Sequence, residues 1–149
     1  FMETLAPLWG LSELLLATDD DSFRPAVEKA AEFFLRHQLF KSERDGSIID
    51  QDWLKLHYPL YWHYDILQVL RVLAPLGKLS DPRTKEALEI IRSKRGEDGR
   101  WRLEGTWTKG PGSKGSNVDV VDWGRRGEPN KFVTLNALRV LKGAGHPIG

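Results

Sequence analysis

Ile66-Leu67-Gln68-Val69-Leu70-Arg71-Val72-Leu73 constrains this chain more than any other stretch. Apolar residues would cover most of the circumference of the helix it forms, whereas a surface helix keeps a polar face. The stretch therefore reads as a buried inner helix. It follows His57-Tyr58-Pro59-Leu60-Tyr61-Trp62-His63-Tyr64-Asp65, which is dense in Tyr, Trp and His. Pro suits the first turn of a helix, so the inner helix is expected to start at Pro59 and run to about residue 74. Pro75 and Gly77 would close it, and 57–65 would form a polar, aromatic mouth at its N-terminal end.

The remaining helices follow from spacing and caps. Apolar residues at 5, 8, 9, 11, 14, 15 and 16 predict a first helix over 5–17, with no β-branched residue inside it. Asp19-Asp20-Asp21-Ser22 supplies capping side chains, and Pro25 a first-turn residue, for a second helix through Ala30, Ala31, Phe33, Phe34 and Leu35. The triple Asp could also be a metal-binding cluster; caps and solvated charge are the commoner use of acids in such a turn. Residues 41–56 read as a loop holding the turn dipeptide Asp45-Gly46. Ser80-Asp81-Pro82 starts a helix with Ala87, Leu88, Ile90 and Ile91 as its apolar stripe. Residues 106–129 are rich in Gly and Pro and lack periodicity, which suits an ordered insertion or a mobile lid, anchored at Trp107 and Trp123. Asn130 caps a last helix from 131 to about 142.

Composition bounds the partners. The 149 residues suit a single domain, and 22 Lys plus Arg against 21 Asp plus Glu give no electrostatic case for nucleic acid. Charge is unevenly spread: 1–40 holds seven acids and three bases, and 106–149 the reverse. The absence of Cys excludes disulfides and thiolate chemistry and makes the cytoplasm the simplest compartment. No apolar run is long enough for an integral membrane segment.

Two internal registers organise the chain. Pro25 and Pro82 are 57 residues apart, and that offset lays Ala30 on Ala87, Glu32 on Glu89, and Phe33-Phe34 on Ile90-Ile91. A second offset, 68, lays Leu70-Arg71-Val72-Leu73 on Leu138-Arg139-Val140-Leu141. Apolar inner helices thus alternate with amphipathic outer ones, as in a helical-hairpin repeat.

Ala87-Leu88-Glu89-Ile90-Ile91 followed by Gly96-Glu97-Asp98-Gly99-Arg100-Trp101, with a weaker copy in 30–38 and Asp45-Gly46-Ser47, resembles the repeat of the terpenoid cyclase and protein prenyltransferase superfamily. The family repeat has Gln before the Gly and Trp after it. Gln38 keeps the first and Ser47 replaces the Trp; Trp101 keeps the second while Lys94 or Arg95 stands in place of Gln. His57 to Asp65 together with 134–141 is most similar to the uncharacterised squalene-cyclase-like proteins. The resemblance implies an all-α fold, a partial α/α toroid of about five main helices with a Gly-rich loop insertion, in one domain over 1–149. An open arc implies further repeats in a longer chain, or a homo-oligomer that covers the flanks.

The family's chemistry does not carry over with the scaffold. The Asp-x-Asp-Asp acid motif is absent, since Asp119-Val120-Val121-Asp122 has acids only at its ends, and the prenyltransferase zinc site needs a Cys. No cofactor or metal is expected. His57, His63 and Asp65 remain as acid-base candidates, or as buried groups that only satisfy their neighbours. On a helix beginning at Pro59, Tyr61, Asp65 and Gln68 would share a face. Tyr58, Tyr61, Tyr64, Gln68, Arg71, Trp101 and Arg139 are the expected ligand-binding residues. Gln68 and Arg71 recur as Asn136 and Arg139, a polar stripe that would face a central cavity or else water; in a cavity two Arg suit an anion such as a diphosphate. Trp53, Trp62, Trp101 and Trp107 would line an isoprenoid pocket or act as packing anchors. The expected function is a cyclase-like domain binding an apolar or isoprenoid ligand, with a helical-repeat protein-interaction module as the alternative.

Overall fold

The computed structural model describes residues 1–18 and 20–147. Its five α-helices are α1 (Met2–Ala17), α2 (Arg24–Arg36), α3 (Ile66–Leu73), α4 (Lys85–Ser93) and α5 (Lys131–Gly143). Pairing between extended segments is limited, among the described residues, to isolated bridges, so the fold is all-α. No described helix is long and apolar enough to cross a membrane.

Side-chain caps fix the starts of α3 and α5 and of the 3-10 turns that lead into α2 and α4. Asp65 accepts from Gln68 N–H at 2.8 Å, Asp81 from Arg83 N–H at 2.9 Å, and Asn130 from Phe132 and Val133 N–H at 3.0 and 3.1 Å. Asp20 caps the short 3-10 turn before α2, while Asp19 lies outside the described residues. Six of the eight residues of α3 are buried, as its apolar circumference requires. It contacts α1, α4 and α5; α2 packs on α1, and α4 also packs on α5. The helices expected to be inner thus form a row, α1–α3–α5, with α2 and α4 against it. Lys78–Glu28 and Arg83–Glu32, at 2.6 and 2.7 Å, tie α2 to the turns before α4; being largely exposed, they add specificity more than stability.

The inner helix starts seven residues later than Pro59. Tyr61 lies in the left-handed region at φ 51°, and Asp65 is extended at φ −147°, so 57–64 is a loop and the helix begins at Ile66. Pro59 fits a first turn, but the Asp65 carboxylate satisfies the α3 N-terminus and frees the aromatics before it to point in different directions. Tyr61 and Asp65 therefore share no helix face. Phe1 packs against Trp53, Phe33 and Tyr64 with ring centroids 4.5–5.3 Å apart.

Candidate functional site

The loop 57–65 divides its side chains between the core and a cleft. Tyr64 turns inward: it is buried, stacks on Phe34 and donates its hydroxyl to Leu39 O at 2.5 Å. Burial and the Asp65 charge hold its pKa well above the ordinary phenol value. Trp101 is also fully buried and donates Nε1–H to Ile91 O at 2.6 Å. Tyr64 and Trp101 therefore pack in the core and line none of the cavities described below. Trp53 joins them in the core.

His57, Tyr58, Pro59, Leu60, Tyr61 and Asp65 meet α1, α3 and α5 around a cleft of about 260 Å³. Trp9 closes it from α1, Leu67, Gln68 and Arg71 from α3, and Val133 and Asn136 from α5. A second cavity, of about 370 Å³, continues along the same helices and is lined by Trp9, Glu13, Arg71 and Arg139. Trp9 and Arg71 border both, so the polar stripe expected from the 68-residue register is gathered on one groove. The Arg71 guanidinium lies 4.4 Å from the Trp9 ring centroid, a cation–π contact. Burial lowers the Arg71 pKa, and neighbouring Arg139 pushes the same way, yet an Arg stays charged near neutrality. Sequence reasoning missed Trp9 and Glu13. Their signal was an i, i+4 pair in a helix with one other charge, Glu3, and Trp9 Nε1 does donate to Glu13 at 3.0 Å.

Asp65 forms the buried wall of the cleft. One carboxylate oxygen accepts from Gln68 N–H at 2.8 Å and the other from His57 N–H at 3.1 Å. Burial lifts its pKa to about 7, against the pull of these donors. His57 packs closely against Gly105, where an added Cβ would come within 2.5 Å of the imidazole. Trp107 is sandwiched between the two His rings, 4.8 Å from His57 and 3.7 Å from His63. Burial lowers both His pKa values, which favours the neutral rings. Among the described residues no three His or acidic side chains form a metal-binding group.

The 106–129 segment folds over this mouth. Tyr61 donates its hydroxyl to Asp119, which also accepts from Trp123 Nε1 at 2.7 Å. Tyr58 stacks on Phe132 at 4.5 Å and meets Trp123 edge-on. Trp107 and Trp123 are thus the anchors of an ordered insertion. Val120 of this segment is 91 % exposed, and Trp62 of the mouth 72 %.

No family model, curated protein or solved structure matches this chain. The site is therefore read from its own residues. It offers two guanidiniums, a largely apolar wall and a carboxyl that gains or loses a proton near neutrality.

Proposed function

We propose that the chain binds an amphiphilic anion, with an isoprenoid diphosphate as the model ligand, in the groove between α1, α3 and α5. The observation that carries this is the position of Arg71, shared by both cavities and stacked on Trp9, with Arg139 along the same groove. The head group would lie between the two guanidiniums, which match phosphate oxygens bidentately. The chain would follow Pro59, Leu60, Leu67 and Val133. Glu13 offsets one of the two positive charges, so the head is held by directed hydrogen bonds more than by net charge. The row α1–α3–α5 supports reading this groove as the inner face of a toroid-like arc.

Thermal shift against farnesyl and geranylgeranyl diphosphates tests the reading. A ligand at 100 times its Kd stabilises by about 2.7 kcal/mol. Arg71→Ala and Arg139→Ala should each remove most of that shift. No shift for the unmodified protein, or a shift in both variants as large as in the unmodified protein, overturns the proposal.

The exposed Trp62, Tyr61, Val120 and Val121 favour a second reading, a protein-interaction surface at the mouth. In that case Trp62→Ala would abolish partner binding and leave the diphosphate shift unchanged.

A further inference from the structure

A third cleft, of about 320 Å³, shares no lining residue with the groove. The backbone between them serves both. Leu56 N–H donates to Glu104 at 2.8 Å, and the next N–H, of His57, donates to Asp65. Lys55, Lys94, Arg102 and Arg126 line this cleft, and Glu104 is the one carboxylate in its lining.

Glu104 is already committed. Lys94 Nζ donates to its two oxygens at 2.7 and 2.8 Å, in addition to the Leu56 bond. Lys55 pairs with Asp52 at the rim. Arg102 donates one N–H to Gly127 O at 3.1 Å, which fixes the guanidinium and leaves its other donors open. Arg126 makes no hydrogen bond or ion pair with the described residues. The backbone holds the two Arg together: Leu103 N–H donates to Glu128 O at 2.9 Å, and Gly127 N–H to Leu103 O at 2.7 Å. Gly127 takes φ 86°, a conformation that suits glycine and lets the chain turn back there.

Lys55 and Lys94 have carboxylate partners in Asp52 and Glu104, so Arg102 and Arg126 are the two lining cations with no ion-pair partner among the described residues, and an anion between them would offset their charge. We propose that this cleft binds a phosphate-bearing small molecule through Arg102 and Arg126, with Lys94 and Lys55 at its flanks. Guanidinium forks match phosphate oxygens in shape as well as charge. Nucleic acid fits less well, because the chain is nearly neutral and the lining holds no aromatic ring for base stacking.

The test is an amide NMR titration with inorganic pyrophosphate at constant ionic strength, using the full chain and Arg102→Ala/Arg126→Ala. Saturable shifts centred on Leu56, Leu103 and Gly127, weakened at least about tenfold in the double variant, support the site. Arg102→Lys/Arg126→Lys, which keeps the charge and loses the forks, should fall between. Equal affinity in the Ala variant, or equal shifts with sulfate, overturns it. Shifts confined to Trp9, Gln68 and Asn136 also overturn it, and they leave the groove reading intact.

Discussion

Asp45-Gly46-Ser47 and Asp98-Gly99-Arg100 make the same turn. Gly46 and Gly99 sit at φ 71° and 75°, and each Asp accepts from the backbone N–H two residues on at 3.1 Å. The pairing makes Ser47 the counterpart of Arg100, so the residue standing in for Trp101 is Ile48 and not Ser47. Their surroundings are opposite. Trp101 is 0 % exposed and bonded to the end of α4, whereas Ile48 is 39 % exposed. The first turn is instead closed on itself by Ser47 Oγ donating to Asp45 at 2.6 Å and by the Lys41–Ile48 bridge. An Asp-Gly turn is thus a local structure, and the side chain after it decides whether the turn is tied to the core.

The largest expected effect breaks or confirms that contrast directly. Trp101→Ala should cost about 3–5 kcal/mol, because it empties a core site and removes the indole donor to Ile91 O, which keeps only the longer Lys94 N–H bond at 3.3 Å. Ile48→Ala should stay below about 1 kcal/mol. Urea unfolding of the two variants checks this, and similar losses would erase the distinction.

Asp65→Ala comes next, at about 2–4 kcal/mol, from the lost α3 cap and a buried His57 N–H left unpaired. The same unfolding measurement applies; a loss under 1 kcal/mol on the scale of a surface change would mean the cap contributes little.

The acids sharpen the contrast through pH. Asp65 has its pKa raised from 3.8 to about 7, so the stability it adds is complete below about pH 4 and lost as pH rises through about 7. Asp45 is held down at about 2, first by the Ser47 hydroxyl, so its contribution is present above pH 4 and lost as pH falls through about 2. His57 and His63, both lowered by burial, lose stability as pH falls below their ordinary value of 6.5. The difference between wild-type and Asp65→Asn stability, followed from pH 4 to 8, isolates Asp65. It should narrow steadily with rising pH; a constant difference would place its pKa near the ordinary carboxylate value.

Ser47→Ala is the smallest change. It should alter stability by no more than about 0.5 kcal/mol while moving the Asp45 titration up toward 3.8, as read by carboxyl NMR. An unmoved titration would show that the backbone N–H of Ser47 suffices.

Helix existence was legible because it depends on local terms: apolar spacing, Asp81 and Asn130 as caps, Gly77 at φ 70° as a stop. The stripe Gln68, Arg71, Asn136 and Arg139 was legible through the 68-residue register. Two things were not. Pro59 and Asp65 both fit a helix start, and only the long-range partners of the intervening aromatics choose between them: Leu39 for Tyr64, Asp119 for Tyr61, Phe132 for Tyr58. Trp9 and Arg102 gave little local signal, because each joins its cleft through residues far away in the chain.

The sequence by itself determined five helices, the burial of α3 and the alternation of inner and outer elements, since periodicity and caps act within a few residues. Only the tertiary structure decided that the Asp65 carboxyl is a buried cap with a pKa near 7, that Tyr64 and Trp101 hold the core, and that two separate sets of Arg face two separate clefts. Desolvation and charge neighbourhood depend on residues that meet across distances in the chain that no local pattern encodes.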